Sequence, residues 1–313
     1  MSLSQVTLIA PATTANLGPG FDVFGLALKE PHDKFTLSAI PKGVQVDVVG
    51  FLTKKVALPR KNTASTVADL MIKEFKLKTG IKIKIDRGIT PGVGLGSSAA
   101  SAAAVACGLN HMFKLQLDKL ELVRLAAQGE ATSAGYAHAD NVSATIYGGF
   151  IIVSSYSPLK VVSFRAPENM EICVAYPHMT TSVNKTKEAR SVVPKQIPIE
   201  NVIHNVGNAA AMASGFANQD IDLIGASMSD AVVEPERAKL IPGYQKVKEN
   251  AIKAGASGVA ISGAGPAMIA IVNKNKAKAM KVVKAMKEGF EAADLAATAF
   301  ITTPGKGAQI LEM

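Results

Sequence analysis

The chain has 313 residues, with 34 Lys and Arg against 25 Asp and Glu for a net charge of +9, 48% hydrophobic and 19% charged residues, and no Trp. That length exceeds one small core and fits two domains of about 150 residues each, and the composition excludes disordered, collagen-like and coiled-coil chains. A basic balance suits nucleic acid, a membrane surface or an anionic small molecule, but no aromatic residues interleave with the lysines as single-stranded nucleic acid requires.

No apolar run of about 18 residues occurs, so no membrane span is expected. The N-terminus lacks a basic stretch and Pro11 interrupts its apolar run, so it does not read as a signal peptide. Cys107 and Cys173 lie in apolar contexts outside any CxxC, which predicts buried, reduced thiols and a cytoplasmic protein.

In chain order, QVTLIA (5–10) reads as a strand, and FDVFGLALKEPHDKFTLSAI as two strands with a turn near Pro31. VQVDVVG (44–50) alternates strictly and predicts a strand with one wet face. Over 62–80, Val67, Leu70, Met71, Glu74 and Phe75 form a helical stripe with Gly80 as its stop. IKIKID (81–86) is again a half-exposed strand, and a Gly-rich loop then opens a long helix over 90–113. A second helix starts at Asp118, and the TIYGGFIIVSSYS run reads as strand. Ser, Pro and Lys accumulate over 155–167, which divides the chain into expected domains 1–160 and 161–313.

The second half opens with strands VVSF and EICVAYP, followed by a polar segment (178–196) and helices near 200–217 and 221–230. Residues 256–272 read as two strands around a Gly-Pro turn. The Lys-rich stretch 273–290 is an amphipathic helix with Met280, Val283, Met286 and Phe290 inward, and TAFITT is a last strand. Strands and helices mix without regular βαβ alternation, so an α+β fold is expected.

GVGLGSSAA (92–100) is the strongest chemical signal. Spaced glycines let the backbone approach a ligand and turn successive N–H groups one way. A helix N-terminus follows at once, and together they make an anion cradle, most often for phosphate. The loop lacks the lysine of a P-loop and the third glycine of a dinucleotide fingerprint. A plain glycine turn before a packed Ala helix accounts for it equally on local grounds. A second cluster, HADNVSATIYGGF (138–150), bunches His138, Asp140 and Asn141 beside the expected strand, where they either face a ligand or cap a turn.

PGVGLGSSAA resembles the second motif of the GHMP kinases. PATTANLGPGFDVFGLAL (11–28) resembles their first motif and SGAGPAMIAIV (262–272) their third, in the expected order. HADNVSATIYGGF, TKEARSVVP and EPERAKLIPG are similar to the homoserine kinase branch of that family, and the resemblance covers essentially the whole chain. It implies an N-terminal domain with a left-handed βαβ unit, a C-terminal ferredoxin-like α/β-plait, ATP and substrate bound between them, Mg²⁺ as cofactor, and a homodimer. The implied activity is phosphorylation of L-homoserine on the way to threonine, with no nucleic-acid or membrane partner.

Carried over residue by residue, the resemblance puts ATP against Pro91, Gly92, Val93, Gly94, Leu95, Gly96, Ser97, Ser98, Ala99, Ala100 and Ser101, with Asn62 at the adenine. Ser98 and Glu130 are the implied Mg²⁺ ligands, a hard cation taking few protein oxygens beside phosphate. Arg190 and Arg237 match the arginines that hold the substrate carboxylate, a task suited to a planar guanidinium. Asn16, Asp22, His138, Asn141 and Gly263 line the rest of the acceptor pocket, and Thr186 donates to the transferring phosphate. Asp140 is either the catalytic base or a hydrogen-bonding brace, with Asn141 orienting the hydroxyl, since phosphoryl transfer does not require a strong base. Each residue also has a bland alternative: a turn for Asn16, a helix cap for Asp22, a solvated helix glutamate for Glu130, surface ion pairs for the arginines. Mevalonate or shikimate kinases and a non-catalytic nucleotide sensor on the same fold are the competing assignments.

Overall fold

The computed structural model describes residues 3–50, 62–134, 138–179 and 185–311; residues 180–184 of the expected polar segment lie outside that set. Alternating apolar residues build the first sheet from β1 (Gln5–Asn16) and β2 (Gly20–Ile40), which pair antiparallel over most of their length. The turn expected near Pro31 is instead an excursion within one strand. His32 pairs with Pro11 and Ala27 with Thr13, so both halves of β2 stay on β1, while Lys29 and Glu30 reach toward Thr303 and Thr302. A bulge absorbs the extra residues where a hairpin was expected.

Next come β3 (Val44–Gly50), α1 (Thr63–Glu74) and β4 (Gly80–Arg87), a βαβ crossover in which β3 and β4 pair in parallel. The α1 helix ends at Glu74, six positions before the expected stop, because Lys76 turns into the left-handed region (φ 51°) and Gly80 instead opens β4. A Cβ at Gly80 would stand 2.3 Å from the Gly43 carbonyl, so that glycine permits a close strand approach.

The Ala-rich α2 (Ser97–Phe113) is buried along most of its length, packed on β1 and against α1, α3 (Lys119–Ala134) and α4 (Ala139–Tyr147). The α4 helix corrects the strand reading of the TIY run. Val142, Ser143, Ala144, Thr145 and Ile146 are all buried in helical form, and Gly148 (φ 76°) ends the helix. Burial against several neighbours outweighs the β preference of Val, Thr and Ile. The hairpin β5 (Phe150–Tyr156) and β6 (Leu159–Phe164) then joins the first sheet through β5 on β2. VVSF was expected to open the second half; it pairs here instead.

The second half runs β7 (Met170–Pro177), α5 (Lys185–Ser191), α6 (Ile199–Asn218), α7 (Ile221–Ala226), α8 (Glu234–Ala238), α9 (Tyr244–Lys253), β8 (Gly258–Ile261), β9 (Met268–Asn273), α10 (Ala279–Glu291) and β10 (Ala297–Thr302). Its four strands lie in the order β10-β7-β9-β8, all antiparallel, the strand order of an α/β-plait. The last strand, β11 (Gln309–Leu311), returns to the edge of β1. Sequence periodicity missed the short α5, α8 and β11, and it missed α9. On α10 the inward stripe is Ala279, Val282, Val283, Met286 and Phe290, whereas Met280, expected inward, is 68% exposed.

Strand period two assigns the second sheet to two cores. Met170, Ile172 and Val174 of β7, with Ile269 and Ile271 of β9, join a core that is continuous with the first sheet and includes Phe216 of α6. Cys173, Ala175, Met268, Ala270 and Val272 face the other way, onto α9 and α10. Phe150 of β5 stacks on Phe216 at 3.8 Å between ring centroids, so the two halves meet through packed apolar surface. Both cysteines are free, and burial raises each thiol to about 12. No helix among the described residues is long and apolar enough to cross a membrane.

Candidate active site

The glycine loop leaves the end of β4 and enters α2. Val93 and Leu95 are buried, while Gly92, Gly94 and Gly96 take positive φ of 77°, 94° and 69°. That alternation turns every loop carbonyl to a protein partner. The Gly92 carbonyl accepts from Lys185 Nζ (2.7 Å), Val93 from the Ala267 amide (2.9 Å), Gly94 from the Ser262 hydroxyl (2.7 Å) and Leu95 from the Thr13 amide (3.1 Å). The amides of Gly94 to Ser98 have no acceptor among the described residues. Side chains cannot replace these glycines. A Cβ at Gly94 would lie 2.3 Å from the Ser262 carbonyl, and one at Gly96 2.0 Å from Thr13 Oγ1. A run of unspent N–H groups at a helix N-terminus is an anion site.

Behind the loop, Asp33 is fully buried and accepts from the amides of Gly88 and Ile89, both at 2.9 Å. It also pairs with Arg87, whose guanidinium donates to Ser97 Oγ and Ser101 Oγ, both at 3.1 Å. This ion pair ties β2, the end of β4 and the first turns of α2 together. Sequence reasoning missed it: one partner lies in an ordinary strand and the other in an IDRG run with no motif around it.

Ser98 lies 2.7 Å from Thr63 Oγ1 and is hydrogen-bonded to Glu130 of α3. Glu130 is buried, and that burial raises its carboxyl to about 7, with the Ser98 bond and His138 pulling the other way. A hydroxyl and a carboxylate at the rim of a phosphate cradle are hard oxygen donors of the kind that Mg²⁺ takes. Asn62 caps α1, its Oδ1 accepting from the Ser65 amide (3.0 Å) in a capping box. Thr186 is exposed on the first turn of α5.

The second cluster gathers residues from five places in the chain. Asn16 (φ 73°) accepts from the Asp22 amide (3.2 Å) and donates to the Gly263 carbonyl (3.0 Å), joining the first and third motifs. Asp22 (φ 57°) receives Arg190 Nη1 and Nη2 on one oxygen, at 2.8 and 2.5 Å, while His138 Nδ1 stands 3.5 Å from the other. The Asp22 contact raises the His138 pKa, and its Nε2 is buried without a hydrogen-bond partner.

Arg237 of α8 is 6% exposed and donates to the carbonyls of Ala189 (3.1 Å) and Gly263 (2.8 Å). It has no carboxylate within ion-pair distance among the described residues, and burial lowers its pKa. Arg190 and Arg237 lie 5.3 and 4.9 Å from the Phe21 ring, an aromatic wall that sequence reasoning missed.

The two clusters meet at the start of α4. Asp140 is 3% exposed and accepts from the amide and side chain of Asn141, at 2.7 and 3.2 Å. Burial raises the Asp140 pKa, and His138 opposes that shift. Asn141 Oδ1 accepts from Thr13 Oγ1 (2.8 Å) and would lie 3.2 Å from a Cβ at Gly96. Asn141 therefore touches the loop, and Asp140 stands behind it.

Comparison with known proteins gives a consistent picture. The family model for the GHMP kinases N terminal domain matches residues 62–149, and that for the GHMP kinases C terminal domain matches residues 212–292. A homoserine kinase of Methanococcus vannielii is 46% identical over 275 residues, covering 87% of this chain and 89% of that one. A homoserine kinase of Halorubrum lacusprofundi is 41% identical and covers 98% of this chain and all of its own. The crystal structure of homoserine kinase from Cytophaga hutchinsonii superposes with a TM-score of 0.90 at 36% identity, covering 98% of each chain.

Proposed function

The chain belongs to the GHMP kinase family, and we propose that it transfers the γ-phosphoryl group of ATP to the side-chain hydroxyl of L-homoserine, a step toward threonine. The observation that carries this reading is the charge layout around Phe21. A buried arginine without a carboxylate of its own, Arg237, stands beside an Asp22–Arg190 pair. A buried cation without a counter-ion is unfavourable until an anion reaches it. A zwitterionic amino acid meets all three groups: its carboxylate takes Arg190 and Arg237, and its ammonium replaces Arg190 on Asp22. Mevalonate and shikimate supply the carboxylate but leave Asp22 without a cation. His138 Nε2 offers a further buried hydrogen-bonding atom to the acceptor.

In this reading the amides of Gly94 to Ser98 hold the phosphates, and the closed carbonyl contacts keep them pointed outward before substrate arrives. Mg²⁺, when bound by Ser98 and Glu130, neutralises phosphate charge. Asn141, fixed by Thr13 and Asp140, orients the acceptor hydroxyl. Asp140 takes the hydroxyl proton or braces Asn141. Thr186 serves the transferring group.

Two copies of the chain pair through α6, in a cytoplasmic homodimer. Ile199, Ile203 and Val206 are 63%, 65% and 63% exposed on one face of that helix, Gly207 beside them has open space around it, and Glu200 is the only charged residue of the helix. On a chain of net charge +9 such an uncharged face is where a second copy meets least repulsion. Sedimentation of an Ile203→Lys variant as a monomer is the expected result.

The function is tested by ADP release with ATP, Mg²⁺ and, in parallel, L-homoserine, mevalonate, shikimate and L-serine. Turnover on homoserine alone is expected. Turnover on mevalonate or shikimate in its place overturns the acceptor assignment, and ATP binding without turnover on any of the four returns the sensor reading.

A further inference from the structure

The glycine loop lacks the lysine that accompanies phosphate in P-loops, since Gly96 is followed by Ser97 and Ser98. The fold brings one from elsewhere. Lys185, the first residue of α5, places its ammonium 2.7 Å from the carbonyl of Gly92, the first glycine of the loop. It has no carboxylate within ion-pair distance among the described residues. Its neighbours along α5 point to the same place. Arg190 of that helix reaches Asp22 in the acceptor pocket, and Ala189 accepts from Arg237. The helix therefore spans from the mouth of the loop to the acceptor pocket, which is the path of the transferring group.

We infer that Lys185 is a phosphate-binding residue of this kinase, its ammonium moving from the Gly92 carbonyl to an oxygen of the γ-phosphoryl group when ATP is bound. A backbone carbonyl is a weak partner for a cation, and an anionic oxygen is a strong one, so the exchange is favourable. Burial and the field of Arg237 lower the Lys185 pKa to about 7, so its charged form is poorly satisfied at this place and gains from an anionic partner. The Gly92 carbonyl is released in the exchange, at the solvent-exposed end of the loop. The role assigned is binding of the group in flight, and it rests on the reading of the chain as a kinase.

The test compares Mg²⁺ complexes of ADP and of the non-hydrolysable β,γ-imido analogue of ATP, titrated into the full chain and its Lys185→Met and Lys185→Arg variants. The expected result is a roughly 10- to 100-fold loss of affinity for the imido analogue in Lys185→Met, the scale of a charged hydrogen bond, with ADP affinity changed by about 2-fold or less. Lys185→Arg should recover part of the loss. Equal weakening for both nucleotides means a structural role, and no change for either means a bystander; both overturn the proposal. If Lys185→Met does not fold, the Arg variant and succinimide-free chemical acetylation of Lys185, mapped by mass spectrometry with and without the imido analogue, decide it: protection by the analogue and not by ADP supports the assignment, and equal protection overturns it. Binding is read separately from turnover, so a failed homoserine assay leaves this result intact, and selective loss of the imido analogue with turnover on another acceptor changes the substrate and keeps the lysine.

Discussion

The two clusters of the candidate site are built from different materials. The loop over 92–98 presents main-chain amides, held by carbonyl contacts that depend on three glycines. The pocket around Phe21 presents side chains: Asp22 from a strand, Arg190 and Arg237 from two short helices, and His138 from the cap of α4. Backbone recognition suits a partner whose phosphate is common to every reaction of the fold. Side-chain recognition can be rewritten one residue at a time, so in the proposed reading acceptor choice belongs to it. A change on one side should therefore leave the other side's affinity alone.

The residue at the seam gives the largest effect. If Asp140 takes the hydroxyl proton, Asp140→Asn should lower kcat by roughly 10²- to 10⁴-fold, with both KM values near normal. Near-normal turnover assigns it to bracing Asn141 instead. Gly94→Ala should then break the backbone half. Its φ of 94° and the 2.3 Å approach to the Ser262 carbonyl should destabilise the chain by about 2–4 kcal/mol in urea unfolding, and raise the KM for ATP in whatever folds. Arg237→Met should break the side-chain half, raising the homoserine KM roughly 10- to 100-fold while the KM for ATP stays put. Movement of both KM values together by either change would dissolve the distinction.

The smallest effect sharpens it. Lys185 bridges the halves with a pKa lowered from 10.5 to about 7 by burial and by Arg237. Between those two values the unfolded chain holds a proton that the folded chain has released, so this group's burden on folding is full below about pH 7 and fades as pH rises. Lys185→Met should raise Tm by a few degrees at pH 6.5 and by less near pH 10, in differential scanning fluorimetry. Greater stability with weaker nucleotide binding is the pattern of a residue kept for function.

Legibility in the sequence follows the same division. The loop was readable locally as a candidate anion cradle, from glycines at 92, 94 and 96 before a Ser-Ser helix start, and the neighbouring motifs decided it against a plain turn. The acceptor pocket was not, since Asp22 and Arg190 are 168 positions apart and neither has a distinguishing neighbour; only resemblance gathered them. The resemblance still passed over Phe21, Lys185 and the Asp33–Arg87 brace. Nor did it mark the capping box at Asn62, which the NTAS context spells. The fold was legible where periodicity was undisturbed, as in VQVDVVG and IKIKID. It failed at Val142–Ile146, where β-branched residues are helical because packing on several sides overrides local preference.

The sheet shared between two cores reaches further than the site. Alternate residues of β7 and β9 serve opposite faces, so neither half can be removed without uncovering a row of Ile and Val. A cut at the expected boundary of 160/161 would also divide the β5–β6 hairpin and take β11 from the edge of β1. The chain has two domains by architecture, but the shared core predicts that it melts as a single transition and that halves expressed separately associate or aggregate.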